Sequence, residues 1–223
     1  MNICVVIPAY NEAENIERVI ADVKTNAPGC DYVIINDCSK DNTREIVEKN
    51  GYNCIHLPIN LGLSGAVQTG YRYAYEHDYD AVIQFDGDGQ HQARFIPLLA
   101  DEIEKGMDIA IGSRFVNQKK DMSARMMGSR IISTLIKMTT GQTITDPTSG
   151  MRMLGKEMMK DYALNMNRSP EPDTLVYMMK RGAKVKEVQV EMSERIAGQS
   201  IYSSTWNSVK YMVRTCISII FMA

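Results

Sequence analysis

Ala81-Val82-Ile83-Gln84-Phe85-Asp86-Gly87-Asp88-Gly89-Gln90-His91 is the stretch on which the reading of this chain turns. A short, mostly apolar run stops at two aspartates separated by one glycine. Such a run reads as a buried strand, and the aspartates then sit where the strand breaks into a loop. Two carboxylates that close can converge on a hard cation. Oxygen ligands suit Mg²⁺ or Mn²⁺, and Mg²⁺ typically takes one or two carboxylates plus substrate phosphates. The pattern therefore suggests a metal–diphosphate site. By itself Asp-Gly is also a common turn dipeptide, so the rest of the chain decides between the two.

Outward from this stretch, strand-like and helix-like segments alternate. Ile3 to Pro8, Tyr32 to Ile35, Cys54 to Leu57, Ala81 to Phe85 and Asp108 to Ile111 read as strands. Glu14 to Thr25, Asp41 to Lys49, Leu63 to Glu76 and Ala93 to Lys105 read as helices, with Asp41 or Ser39 capping the second. That order predicts an α/β fold, a mostly parallel sheet with helices on both faces. Ligands then gather at the carboxyl ends of the strands, where the polar motifs fall. After Gly112 the pattern loosens. Phe115 to Ala124 is expected to be a mobile polar loop. Arg125 to Thr140 is an amphipathic helix with Met127, Ile131, Leu135 and Met138 on one stripe, Glu171 to Arg181 a further helix, and Ala183 to Val190 a further strand.

The 223 residues and 44% hydrophobic content fit one α/β domain, or a domain with an appendage. A net charge of -2 gives no reason to expect nucleic acid as a partner, although basic residues between Arg114 and Lys160 offer a local anion-binding surface. The five cysteines, Cys4, Cys30, Cys38, Cys54 and Cys216, form no C-x-x-C pair and no zinc spacing, which fits reduced thiols in a cytosol. The N-terminus enters a strand pattern at once, so no signal peptide is expected. No stretch reaches the ~20 apolar residues of a membrane span. The C-terminus comes nearest. Val209, Met212, Val213, Cys216, Ile217, Ile220 and Phe221 follow helical spacing, with Lys210, Arg214 and Ser218 opposite and Tyr202, Trp206 and Tyr211 near its start. Two readings follow: a helix docked on the core, or one lying in a membrane interface. The chain could also be the soluble part of a longer protein.

Three further motifs carry chemistry. Ile7-Pro8-Ala9-Tyr10-Asn11-Glu12 leads a strand into a helix, where free backbone N–H groups are exposed. Tyr10 can lie against a base and Glu12 can accept ribose hydroxyls; alternatively Asn11 is only a helix cap and Tyr10 packs. Asn36-Asp37-Cys38-Ser39-Lys40-Asp41 places a carboxylate where a base N–H could reach it, or forms a capping Asx turn. Asn60-Leu61-Gly62-Leu63-Ser64-Gly65 precedes a helix, with Gly65 and Gly70 allowing close backbone approach. Tyr71-Arg72 after Gly70 excludes a P-loop, and G-x-G-x-x-G is absent, which counts against ATPase and NAD readings.

In order and spacing, these segments resemble the family 2 glycosyltransferases of the GT-A fold. The residues that carry the resemblance are 7 to 12, 36 to 41, 60 to 62, 86 to 91, Gly112-Ser113-Arg114 and Asp146-Pro147-Thr148-Ser149-Gly150-Met151-Arg152. The last two, with Arg195-Ile196-Ala197-Gly198-Gln199-Ser200, are similar to the subgroup that loads a sugar onto a polyprenyl phosphate, such as the dolichyl-phosphate mannosyl- and glucosyltransferases. The resemblance implies a Rossmann-like GT-A domain over residues 1–200; residues 201–223, from their own spacing, form a C-terminal amphipathic helix for which core docking and a membrane interface both stay open. The resemblance also implies that Pro8, Tyr10, Glu12 and Asp37 hold the nucleoside, that Asp86, Asp88 and Gln90 bind Mg²⁺ or Mn²⁺ and the donor diphosphate, and that Gly87 is among the substrate-binding residues. Arg114, Arg125, Ser129, Arg195 and Ser200 would hold anionic oxygens, with Asp86, Asp88 and Arg114 acting at the reacting groups. Arg suits phosphate because its planar fork donates two parallel hydrogen bonds. Two departures stand out. The subgroup commonly has Lys where this chain has Ile201, so one phosphate contact is missing or replaced, for example by Lys210. Members often continue into transmembrane helices, which this chain lacks.

The expected activity is an inverting, metal-dependent hexosyl transfer from UDP-glucose or GDP-mannose to a polyprenyl phosphate. The expected place is peripheral, on the cytoplasmic face of a membrane, with a small membrane protein or a second copy as possible partner. An ionised acceptor phosphate needs positioning more than deprotonation, and Asp86 could act as base only if metal does not saturate it. One rival is transfer to a hydroxyl of a cell-surface polysaccharide, which needs a general base such as Glu171 or Asp173. The other is a sugar-nucleotide-binding subunit, inactive without a membrane partner.

Overall fold

The computed structural model describes residues 1–165, 169–193 and 205–221. Its strands are β1 (Ile3–Ala9), β2 (Cys30–Asn36), β3 (Cys54–His56), β4 (Ala81–Gln84), β5 (Ile109–Ser113), β6 (Arg152–Gly155) and β7 (Val185–Gln189). Its helices are α1 (Ile16–Asn26), α2 (Thr43–Lys49), α3 (Gly62–Glu76), α4 (Ile96–Glu104), α5 (Ala124–Thr140), α6 (Lys156–Asn165), α7 (Pro172–Lys180) and α8 (Thr205–Phe221). The sheet runs β3-β2-β1-β4-β6-β5-β7. Every neighbouring pair is parallel except those of β6, which runs antiparallel to both β4 and β5.

The expected α/β architecture with a mostly parallel sheet is therefore present. Alternation along β1 sets the two cores. Cys4 and Val6 face Val67, Tyr71, Ile132, Ile136 and Leu175 on one side. Ile3, Val5 and Ile7 face Ile16, Ile20, Val47, Ile96 and Leu99 on the other. A strand buried on both faces needs apolar residues at every position, hence the unbroken Ile-Cys-Val-Val-Ile run. Gly70 does bring α3 close to the sheet: a Cβ there would lie 2.1 Å from Val6 Cγ1.

β6 and α6 are absent from the expected element order. β6 has four residues, too few for a period, and it follows a polar loop. Its insertion separates β4 from β5. The predicted α5 stripe also faces the wrong way. Met126, Ile132 and Ile136 are buried, whereas of the predicted stripe Met127, Ile131 and Met138 are exposed and only Leu135 packs, partly buried, against the core. α8 docks on α5 and α7 through Thr215 and Ile219, both buried, and through Tyr211 and Ser218. Val209, Val213, Ile217, Ile220 and Phe221 stay exposed. Core docking and an outward apolar stripe thus coexist on one helix. Tyr202 and the side chain of Trp206 lie outside the described residues. No helix of the described residues is long and apolar enough to cross a membrane.

Candidate functional site

The order β3-β2-β1-β4 reverses direction between β1 and β4, and a crevice opens at the carboxyl ends of strands flanking such a point. Three of the motifs read from the sequence arrive there on strand ends. β1 delivers Pro8 to Glu12, β2 delivers Asp37, and β4 delivers Asp86 and Asp88.

The first two loops clasp each other. Asn11 and Cys38 adopt positive φ of 58° and 57°, a region few non-glycine residues enter without a reason. Here the reason is local bonding. Lys40 N donates to Asn11 Oδ1 at 2.8 Å, Asn11 N to Ser39 Oγ at 3.0 Å, Glu12 N to Thr43 Oγ1 at 2.9 Å and Ala13 N to Asp41 Oδ2 at 3.1 Å. Partial burial raises the Asp41 carboxyl, but donors from Thr43 and Ala13 outweigh it and hold it below the usual range. Asn11 is therefore a clasp and not a helix cap; the N-cap of α1 is Asn15. Tyr10 is exposed beside this clasp. Asp37 is buried, and its Oδ1 accepts from Leu61 N at 2.6 Å, which draws the Asn60-Leu61-Gly62 segment over the strand end.

The acidic loop is held as firmly. Gly87 packs against β1, since a Cβ would lie 2.9 Å from Pro8 O. Only glycine lets the two strand ends meet so closely. Gln84 Nε2 donates to Asp86 Oδ1 at 2.9 Å. Asp86 N donates to His91 Nδ1 at 2.9 Å, which leaves the ring proton on Nε2, 3.6 Å from Asp86 Oδ2. Asp88 is buried, and its Oδ1 accepts from Gln90 N at 3.0 Å. Two carboxylates and the Gln90 amide give an all-oxygen donor set, which fits a hard divalent cation sharing its shell with substrate phosphates. Among the described residues no group of three His, Cys, Asp or Glu gathers as a complete protein cage. Gln84 Oε1 is buried with no hydrogen bond among the described residues, so the amide is fixed by its donor end.

Beyond this loop, residues 146–150 link the acidic site to β5. Gly150 abuts Asp86: a Cβ there would lie 2.8 Å from Asp86 Oδ2. Asp146 is fully buried and takes Arg114 bidentately, Nε at 2.7 Å and Nη2 at 2.9 Å. Glu187 of β7 fixes the backbone of this loop, accepting from Thr145 N and Asp146 N, each at 2.7 Å. Arg152 Nε, Nη1 and Nη2 donate to the carbonyls of Ser149, Glu171 and Pro147. Arg114 thus reaches the predicted region with two of its five N–H donors, on the Nε–Nη2 edge, engaged by Asp146. Ser129 is buried on α5, where its hydroxyl accepts from Lys120 Nζ at 2.7 Å. The segment expected to be mobile is tied down: Asn117 N donates to Gln189 Oε1 at 2.8 Å, and Arg130 Nη2 to the carbonyl of Lys120 at 2.7 Å.

The side chain of Arg125, and Arg195 and Ser200, lie outside the described residues. Lys210 is exposed on α8. Glu171 and Asp173, considered as bases, face α8 instead. Tyr211 Oη donates to Glu171 Oε2, and Ser218 Oγ to Asp173 Oδ2 at 2.5 Å. Burial pushes the Glu171 carboxyl above its ordinary range, and the Tyr211 bond offsets this only in part. Gln84, His91 and Lys120 are site residues that sequence reasoning did not assign. His91 lay in a quoted motif; Lys120 left only a Lys-Lys pair in a polar loop.

A family model described as Glycosyl transferase family 2 matches residues 4–163. An undecaprenyl-phosphate mannosyltransferase of Micrococcus luteus is 27% identical over 212 residues, covering 90% of this chain and 87% of that protein. A dolichol-phosphate mannosyltransferase of Pyrococcus furiosus is 34% identical over 181 residues, covering 74% of this chain and 49% of that protein. Among solved structures, a glucosyl-3-phosphoglycerate synthase from Mycobacterium tuberculosis superposes with a TM-score of 0.72 at 19% identity, over 98% of this chain and 79% of that chain. At that identity the likeness is one of fold.

Proposed function

The chain belongs to glycosyl transferase family 2, and from that premise we propose that it moves a hexose from a nucleotide diphosphate sugar to a polyprenyl phosphate. The observation that carries the reading is the placement of Asp37 after β2 and of Asp86 and Asp88 after β4, on either side of β1 and its exposed Tyr10. Asp37 and Tyr10 suit the nucleoside end of a donor, and the two loop aspartates suit its diphosphate. The acceptor class is supported by the relatives, whose names specify undecaprenyl-phosphate and dolichol-phosphate mannosyl transfer.

In this reading Asp86, Asp88 and Gln90 hold Mg²⁺ or Mn²⁺. The cation, when bound, supplies Lewis-acid neutralisation of charge on the leaving diphosphate. The protein's own part is alignment. Gln84 and His91 fix the Asp86 carboxylate, and the 146–150 loop closes behind it. A phosphate acceptor is already ionised at neutral pH, so orientation supplies what a base would otherwise provide. The hydroxyl-acceptor rival loses support because Glu171 and Asp173 are engaged with α8.

The exposed apolar residues of α5 and α8 support a peripheral position on the cytoplasmic face of a membrane. The test is transfer from UDP-glucose and GDP-mannose, with Mn²⁺ or Mg²⁺, to undecaprenyl phosphate and to oligosaccharides. A sugar-phosphate lipid is the expected product. Transfer to the oligosaccharide alone would overturn the acceptor, and no transfer without an added membrane protein would favour the binding-subunit reading.

A further inference from the structure

The segment after β5 and the flank of α5 enclose a groove of about 520 Å³ that the sequence reading did not use. Its walls include Phe115, Lys120, Met122, Arg130, Ser133 and Ile144. Lys120 is the unusual member. Its ammonium is half-buried, and its hydrogen bonds go to two hydroxyls on adjacent turns of α5, Ser129 Oγ at 2.7 Å and Ser133 Oγ at 3.4 Å. Among the described residues no carboxylate pairs with it.

Arg114 is bidentate to Asp146 and Glu187 caps the 145–146 amides, while Arg130, which gives Nη2 to the Lys120 carbonyl, and the exposed Lys119 also line the groove. A half-buried ammonium without a counter-ion is costly. Burial accordingly lowers the Lys120 pKa from the ordinary lysine range, with Asp146 and Glu187 opposing from a distance. The apolar part of the lining is Phe115, Met122 and Ile144, set among the polar Gln118, Thr143 and Thr145. The ammonium lies 5.5 Å from the Phe115 ring centroid, and Met122 and Ile144 continue that surface.

We infer that this groove is a binding site for an anionic amphiphile, with Lys120 anchoring a phosphate monoester head and Phe115, Met122 and Ile144 receiving the start of its apolar tail. Ser129 and Ser133, which now accept from Lys120, can each turn a hydroxyl hydrogen towards a phosphate oxygen. Phe115 on its wall follows Arg114, which pairs with Asp146, and Gly150 of the same 146–150 loop abuts Asp86. The assignment rests on the proposed lipid-phosphate acceptor and names the residue that recognises its head.

The test is equilibrium binding of farnesyl phosphate to the full chain, with farnesol and inorganic phosphate as separate arms. The wild type, Lys120→Met and Lys120→Arg are compared, with the exposed Lys105→Met as a charge control. The methionine keeps the stem and removes the charge. It should weaken farnesyl phosphate binding about tenfold or more and raise its KM, while farnesol binding, donor affinity and melting temperature stay at wild-type values. Arginine should restore most of the loss. Equal farnesyl phosphate affinity in wild type and Lys120→Met would remove Lys120 from the site and leave the proposed reaction standing. Failure of the wild type itself to bind farnesyl phosphate would instead sink the acceptor class. Inorganic phosphate binding as tightly as farnesyl phosphate would show a plain anion site and overturn the amphiphile.

Discussion

At the scale of single residues, the two loop aspartates differ in what already holds them. Asp86 receives Gln84 and faces His91, whereas Asp88 is buried and pinned by Gln90 N. Asp88→Ala should lower transfer by on the order of 10²–10³-fold, matching a few kcal/mol of lost charge stabilisation, while far-UV circular dichroism stays unchanged. EDTA should abolish transfer and Mn²⁺ should restore it; full activity in EDTA would refute the metal reading. Asp37→Ala should raise the donor KM by about 10–100-fold and leave kcat within about threefold, because a base contact is equal in ground and transition states. A kcat loss at unchanged KM would contradict that role. These aspartates were legible in the sequence because each follows an apolar run that marks a strand end. Gln84 and His91 were not. Their work is to orient Asp86, and orientation exists only once strand and loop are folded against each other.

At the scale of elements, α8 is the instructive case. Its docked side carries Tyr211, Thr215, Ser218 and Ile219, and its exposed side carries Val209, Val213, Ile217 and Phe221. Deleting the helix would strip the core as well as the stripe, so point variants separate the two. Ile219→Ala should cost about 2–5 kcal/mol of stability, read by urea unfolding, because Ile219 is fully buried. Val213→Ser with Ile217→Ser should leave stability nearly unchanged yet reduce co-sedimentation with anionic vesicles; equal sedimentation would end the interfacial reading. The α7–α8 contact should also depend on pH. Burial raises the Glu171 carboxyl above its unfolded value, so the folded state binds the proton more tightly. The stability it contributes is complete below the unfolded pKa and is lost as pH rises through the folded one. Glu171→Gln should therefore gain relative to wild type as pH rises from 4 to 8 in thermal melts, and a constant difference would refute this. Periodicity told that α5 and α8 are amphipathic. It did not tell which side docks, because hydroxyl–carboxylate pairs and not the apolar stripe fasten α8.

At the scale of the whole molecule, the strand ends carry the Asn11–Lys40 clasp, Asp86 and Arg114 along one edge of the sheet, the edge proposed to hold the donor. A donor filling it should stabilise the entire domain. At 100 Kd a ligand adds ~2.7 kcal/mol, or about 5–11 °C in Tm for a chain of this length. UDP- and GDP-sugars with Mn²⁺ should separate by that shift, and the absence of any shift would argue against a preformed donor site. The sequence by itself determined the α/β class, the strand-end placement of the acidic motifs and the family. Those depend on local apolar runs and on short motifs whose backbone needs are met within a few residues. Only the tertiary structure decided that β6 enters antiparallel between β4 and β5, that Asp146 pairs with Arg114, and that Lys120 has no carboxylate partner among the described residues. Each of these joins residues far apart in the chain, and a charge's partner is fixed by packing in space, which spacing along the chain does not encode.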